Sequence, residues 1–196
     1  IGVPYATPDA APGAGAAYVV FGRDTAVDGN FPASILPTAL DGTNGFVVAG
    51  AAEFDGAGAS VAGAGDVNGD SIDDLIVGAP DADVSDQTLA GRAFVVYGVD
   101  TAQAGDFAAR VDLATLDGSD GFALNGFASG SGAGASVDGA GDLNGDGIGD
   151  TIIGAPGTMV GLDDLAGETH VVYGSAAPSR GVGAAELDLA TLDGDN

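Results

Sequence analysis

The sequence contains no cysteine, which excludes disulfides, thiolate metal sites and cysteine nucleophiles. That absence does not decide the compartment, because a bound cation can replace disulfides as the staple of an extracellular fold. Lysine is missing as well. The four arginines (Arg23, Arg92, Arg110 and Arg180) stand against 29 acidic residues, a formal charge of −25. A surface this negative repels phosphates, so nucleic acid and anionic membranes are excluded as partners and cations are favoured. No apolar stretch approaches the ~20 residues needed to span a bilayer, so direct membrane insertion is not expected. The opening residues, IGVPYATPDA, lack the basic and apolar regions of a secretion signal, and the sequence is expected to be the mature part of something longer.

Glutamate is scarce too, with only Glu53, Glu168 and Glu186, so that 26 of the 29 acids are aspartates, the carboxylates favoured in turns and oxygen-ligand metal loops. Acidity of this degree can signal disorder. Here 45% of the residues are hydrophobic and fall in discrete, recurring runs, which predicts a folded chain.

Those runs repeat with one fixed period of 76 residues, seen in the tyrosine- or phenylalanine-glycine pairs ending at Gly22, Gly98 and Gly174. The same spacing separates Leu40-Asp41-Gly42, Leu116-Asp117-Gly118 and Leu192-Asp193-Gly194, and also Gly2-Val3-Pro4, Gly78-Ala79-Pro80 and Gly154-Ala155-Pro156. Counted from Gly45, the chain divides into a partial repeat (1–44), a full repeat (45–120) and a second full period (121–196), forming one repeat array.

Each period reads as four short strands. Leu75-Ile76-Val77 and Ile152-Ile153 are continuous apolar runs. Phe94–Tyr97 and His170–Tyr173 are bounded by glycines, with Tyr18–Phe21 as the earlier copy. The third type is GFVVAGA (45–51) and GFALNGF (121–127), and the fourth is Gly-Ala-Ser-Val at 58–61 and 134–137. Short β-branched and aromatic runs favour strand over helix, and runs apolar on both faces are expected to be covered on both faces. Helix is confined to at most a turn or two in 106–116 and 184–192. The predicted class is all-β, with four-stranded antiparallel sheets as the blades of a partial propeller.

Between the fourth and first strand types lies Gly65-Asp66-Val67-Asn68-Gly69-Asp70-Ser71-Ile72-Asp73-Asp74, copied as Gly141-Asp142-Leu143-Asn144-Gly145-Asp146-Gly147-Ile148-Gly149-Asp150. Counted from the first Asp, side-chain oxygens fall at positions 1, 3, 5 and 9, with an aliphatic residue at 7. That is the ligand spacing of a calcium loop whose position 7 offers a backbone carbonyl. Position 12, where an EF-hand needs a bidentate acid, is Val77 or Ile153, so a calcium-bound β-hairpin is expected over 66–74 and 142–150. Asp73 stands where Gly149 does, so position 8 is not a ligand. A metal-free turn needs two Asx or Gly residues, not three carboxylates and an amide in nine positions. Three ionised carboxylates this close repel one another, and a divalent cation removes the conflict. Magnesium, which gives up its waters reluctantly, fits less well than calcium.

The pattern Gly-Asp-x-Asn-Gly-Asp-x-x-x-Asp, followed by an apolar strand and Gly-Ala-Pro, resembles the FG-GAP repeat, the blade unit of the seven-bladed propeller of integrin α subunits and of bacterial surface proteins. The resemblance implies one calcium site from Asp66, Asn68, Asp70, the Ile72 carbonyl and Asp74, and a second from Asp142, Asn144, Asp146, the Ile148 carbonyl and Asp150. It departs from the family where Gly-Ala-Gly-Ala replaces Phe-Gly before Ser60 and Ser136, where Val3 replaces Ala, and in its longer period, with the excess expected after Gly98 and Gly174.

The sequence starts just past where a metal loop would lie and stops before a Gly-Phe strand, and fewer than three full repeats do not close a propeller. Other blades, or contacts between copies, are expected to complete it. The remaining candidates are expected to be structural. His170 occupies the strand position of Phe94 and Tyr18, and a lone histidine without a repeated partner is a poor catalyst. Asp41, Asn44, Asp117 and Asp120 read as turn residues, with a second cation site the alternative. Asp81, Asp83 and Asp86 have no matching set in the next copy, where Asp163 and Asp164 fall elsewhere, and read as a solvated loop. Ser60 and Ser136 lack a nucleophile elbow or base.

The expected function is a calcium-stabilised, non-catalytic module at the cell surface or outside the cell, recognising a protein or glycan in adhesion. The alternative is a structural subunit that assembles with further copies into a filament or surface layer. An enzyme or lectin-type propeller is the third reading.

Overall fold

The computed structural model describes residues 1–159, 166–176 and 185–193. Asp163, Asp164, Ala184 and Gly194 lie outside the described residues.

The chain is all-β. Strands β1 (Gly2–Val3), β2 (Ala16–Val20) and β3 (Gly45–Ala49) form the first antiparallel set. Strands β4 (Ser60–Gly65), β5 (Asp74–Ala79) and β6 (Arg92–Val96) begin the second sheet. Strand β7 (Arg110–Asp112) then turns back to lie parallel to β3, and β8 (Gly121–Asn125) closes the second sheet against β6. Strands β9 (Ser136–Gly141), β10 (Asp150–Ala155) and β11 (Glu168–Val172) make the third sheet, and β12 (Glu186–Asp188) returns to lie parallel to β8. The spatial orders are β1-β2-β3-β7, β12-β8-β6-β5-β4 and β11-β10-β9.

Two features differ from the expected four-stranded antiparallel sheet. A sheet straddles the sequence period, since the Gly-Phe strand that opens one period closes the sheet begun in the period before. The second sheet also has five strands, the outermost parallel. A hairpin can join only antiparallel neighbours, whereas β7 and β12 arrive after long crossovers and so can run either way. The segment 106–116, expected to hold a turn or two of helix, is β7 followed by one 3₁₀ turn, Leu113–Thr115. Among the described residues helix is otherwise limited to short turns, among them α1 (Thr25–Asp28) and α2 (Thr101–Ala104), each N-capped by an aspartate, Asp24 or Asp100. Among the described residues no helix is long and apolar enough to cross a membrane.

Two cores lie on either side of the second sheet. Val77, Ala79, Phe94, Val96 and Ala123 face the first sheet and pack with Ala17, Phe46 and Val48. The alternate residues Ile76, Ala93, Val95, Phe122 and Leu124 face the third sheet and pack with Val137, Ile153, Ala155 and Val172. Period-2 alternation in β5, β6 and β8 therefore feeds two cores at once, which is why these strands carry no polar face.

The junctions between sheets repeat with the sequence. Ala57 N donates to Ala14 O and Ala133 N to Ala90 O, both at 2.9 Å. Within the sheets, Gly58 N donates to Gly78 O at 2.9 Å and Gly134 N to Gly154 O at 3.1 Å, extending the β4–β5 and β9–β10 ladders up to these junctions. The glycine of Gly-Ala-Pro is needed here for close approach. A Cβ at Gly78 would lie 2.9 Å from the carbonyl carbon of Gly134, and closer still to its oxygen.

Candidate metal loops

Each proposed ligand run is the connection of a hairpin: 66–73 joins β4 to β5, and 142–149 joins β9 to β10, both pairs antiparallel. In the first loop Asp66 Oδ1 accepts from Gly69 N (2.7 Å) and Asp70 N (3.0 Å), and its Oδ2 accepts from Ser71 N (2.8 Å). Asn68 Oδ1 accepts from Asp70 N at 2.9 Å, and Asn68 Nδ2 donates to Asp70 Oδ2 at 3.0 Å. Asp70 Oδ1 accepts from Ile72 N at 2.8 Å.

Asp74, at position 9, is buried. Its Oδ2 accepts from Val67 N and its Oδ1 from Gly98 N, both at 2.8 Å. Burial pushes its pKa up to about 6, the two amide donors oppose the shift, and the nearby charges of Asp70 and Asp66 add to it.

The second loop repeats this network contact for contact. Asp142 accepts from Gly145 N, Asp146 N and Gly147 N at 2.7 to 3.0 Å. Asn144 pairs with Asp146, which accepts from Ile148 N at 2.9 Å. Buried Asp150 accepts from Leu143 N (2.7 Å) and Gly174 N (3.0 Å). Position 6 is left-handed in both copies, with φ of 71° at Ser71 and 88° at Gly147. The loops also bond to their surroundings across the sheet junction, since Gly149 N donates to Asp66 O at 2.7 Å and Ser175 N to Val67 O at 2.9 Å.

Among the described residues no three acidic or histidine side chains are gathered tightly enough to hold a metal ion as they stand. The aspartates are turned onto backbone N–H groups, which shapes the loop. Asp66 Oδ1 and Asp142 Oδ1 each accept two amides, whereas Oδ2 of both residues and both oxygens of Asp74 and Asp150 accept one and keep a further lone pair. Both donor sets are all oxygen and carboxylate-rich, in the first loop buried Asp74 is repelled by Asp70 and Asp66, and this chemistry fits a hard divalent cation.

Sequence reasoning missed the amides that hold position 9. Gly98 and Gly174 stand out in the sequence only as the ends of recurring aromatic-glycine pairs. Their role appears when β6 and β11 lie beside β5 and β10. Sequence reasoning also missed Asp55, which is buried, with its pKa raised to about 6 by burial while Arg92 opposes the shift.

The other candidates take structural places. His170, on β11 opposite Ile153, meets the Phe127 ring edge-on at 5.9 Å, and burial lowers its pKa against the pull of Glu168. Asp41 accepts from Thr43 N and Oγ1, and Asp117 from Ser119 N and Oγ, side-chain bonds that hold both carboxylates below their usual range. Asn44 and Asp120 accept from Asp41 N and Asp117 N in the same turns. Asp83 accepts from Leu89 N, and Asp81, Asp83 and Asp86 are exposed. Ser60 Oγ accepts from Val137 N across the sheet junction, and Ser136 lies on β9.

No curated protein matches the chain. Residues 57–96, which take in β4, the first loop, β5 and β6, match the family model of the FG-GAP repeat.

Proposed function

We propose that the chain is a calcium-stabilised extracellular β-propeller module for adhesion or recognition, with its three sheets as successive blades and no catalytic role. The observation that carries this reading is the pair of hairpin loops with the same oxygen donors, the same hydrogen bonds and a buried carboxylate at position 9. Calcium would be held by Asp66, Asn68, Asp70, the Ile72 carbonyl and Asp74, and by Asp142, Asn144, Asp146, the Ile148 carbonyl and Asp150. Its chemistry would be electrostatic, neutralising acids that otherwise repel one another and so fixing the loops. The repeated junction between sheets supports the blade reading. Loops gathered at one end of the sheets would offer a surface to an extracellular protein or glycan.

A second reading, assembly with further copies into a filament or surface layer, is favoured by one apolar face. Ile1, Val3 and Val20 are 79%, 37% and 37% exposed, while their 76-residue equivalents Val77, Ala79 and Val96 are buried against the first sheet.

Calcium titration tests the first reading. With a Kd of ~10⁻⁴–10⁻³ M, as in extracellular modules, 10 mM calcium stabilises by roughly 1.4–2.7 kcal/mol per site. Two sites should raise Tm by about 6–20 °C over protein in chelator. Asp74→Asn and Asp150→Asn should each remove about half of that rise. An unchanged Tm with no heat of calcium binding would overturn the calcium reading. Native sizing with and without chelator tests the second, which predicts high-mass assemblies without any partner.

A further inference from the structure

We propose that residues Phe31–Pro37 form a clasp that docks onto an uncovered Leu-Asp-Gly-x-x-Gly-Phe turn and strand belonging to another sheet of this same repeat. The docked state is visible one period later. There the equivalent segment, Phe107–Leu113, reaches back over the first sheet. Phe107 stacks on Phe46 with ring centroids 4.5 Å apart and planes 5° from parallel, and it meets Phe21 at 5.6 Å. The Ala109 carbonyl accepts from Val47 N at 3.0 Å, and Arg110–Asp112 pairs in parallel with β3. Leu113 and Leu116 then close the first core.

The seat is built by the Leu-Asp-Gly-x-x-Gly-Phe motif. Gly42 has φ of +93°, and a Cβ there would lie 3.1 Å from the Phe107 carbonyl carbon, so this glycine serves both the turn and the contact. One period further on, β12 pairs with β8 in the same parallel register, and Leu187 and Leu189 join the second core.

Residues 31–37 have the same local build without the partner. Asp24 caps α1 through Ala26 N as Asp100 caps α2 through Ala102 N. Leu36, ahead of Pro37, is already extended at φ −83°, ψ 141°, close to its docked equivalent Asp112 at −104°, 116°. Yet Phe31, Ile35 and Leu36 are 46%, 37% and 65% exposed, and the ring of Phe31 lies under the guanidinium of Arg23 at 5.4 Å rather than on another ring. Among the described residues both matching seats are taken, β3 by β7 and β8 by β12. The occupant that fits is therefore a further repeat of this kind that offers a free Gly-Phe strand 76 residues ahead of the seat at Gly45, in phase in the same polypeptide.

The 76-residue period allows a direct test. Residues 1–76 placed ahead of Ile1 continue the repeat in phase and supply a new seat at the correct chain distance. The chain has no tryptophan, so Phe31→Trp in the parent segment is a unique reporter. Phe107→Trp in the original chain gives the docked reference spectrum. In the extended protein carrying Phe31→Trp, indole emission should move to the blue toward that reference, and amide exchange at Ser34–Leu36 should slow by at least about tenfold relative to the original chain. Unchanged emission and exchange at 31–37 in a folded extended protein would overturn the proposal. So would failure of the extended protein to fold, since a register-true repeat adds a seat and no conflict.

Discussion

The packing of successive sheets predicts a sharp contrast between two glycine-to-alanine changes on adjacent strands. At Gly78, on β5, an added Cβ would sit 2.9 Å from the carbonyl carbon and 3.3 Å from the Cα of Gly134 in the next sheet, against ordinary carbon–carbon contacts of about 3.5–4.0 Å. The obstruction is backbone, so no rotamer change relieves it. Gly78 is fixed in its own sheet, where its carbonyl accepts from Gly58 N at 2.9 Å in the chain leading into β4. Relief requires the third sheet to move away, which loosens a fully packed core around Ile153 and Val172. Overpacking of this kind costs about 3 kcal/mol or more. For a chain of this length that is a fall in Tm of roughly 6–12 °C. At Gly63, on β4, a Cβ meets nothing within 4 Å, so Gly63→Ala should be neutral or stabilise by up to about 1 kcal/mol through reduced freedom of the unfolded chain. Thermal and urea unfolding of both variants, followed by circular dichroism, measures the contrast. If Gly78→Ala stays within about 0.5 kcal/mol of wild type, or proves no worse than Gly63→Ala, the close approach of sheets is wrong.

Three further outcomes follow from the same geometry. Phe107→Ala should cost about 1–2 kcal/mol and speed amide exchange in Arg110–Asp112 while sparing β5, which exchange mass spectrometry resolves. In chelator, stability should fall as pH rises from about 4 to 6, because buried Asp55 holds its proton to about 6 when folded but releases it near 3.8 when unfolded. Asp55→Asn should remove about 2 kcal/mol of that fall, a figure reduced for partial solvent access, and a wild-type pH profile in this variant would count against the assignment. Calcium should also bind more weakly at pH 5 than at pH 7.5, since protons compete for Asp74, whose folded pKa is about 6; calorimetry at the two values should show roughly a tenfold loss at that site.

The period, the strands and both loops could be read directly from the residues. A 76-residue recurrence of Gly-Ala-Pro and of the aromatic-glycine pairs marks equivalent places in space. Short continuous apolar runs such as Phe94–Tyr97, β-branched or aromatic throughout and closed by glycine, read as strands buried on two faces. The aspartate spacing in 66–74 and 142–150 is a local property, because hairpin ligands come from one short stretch of chain, and its oxygen-donor character needs no tertiary knowledge.

What the residues alone left open is how the strands divide into sheets and what reaches across between them. Local patterning says which face of a strand is apolar, but not which edge its backbone groups will meet. β8 completes the sheet of β6 rather than starting its own, and Arg110–Asp112 becomes a parallel strand on β3, because those edges are free and the crossovers are long enough to reach them. In the same way Gly98 and Gly174 become donors to Asp74 and Asp150 only through neighbouring strands some two dozen residues away. Repetition and donor chemistry are encoded locally. Edge pairing and the closing of each core depend on residues far apart in the chain, and so only the assembled fold decides them.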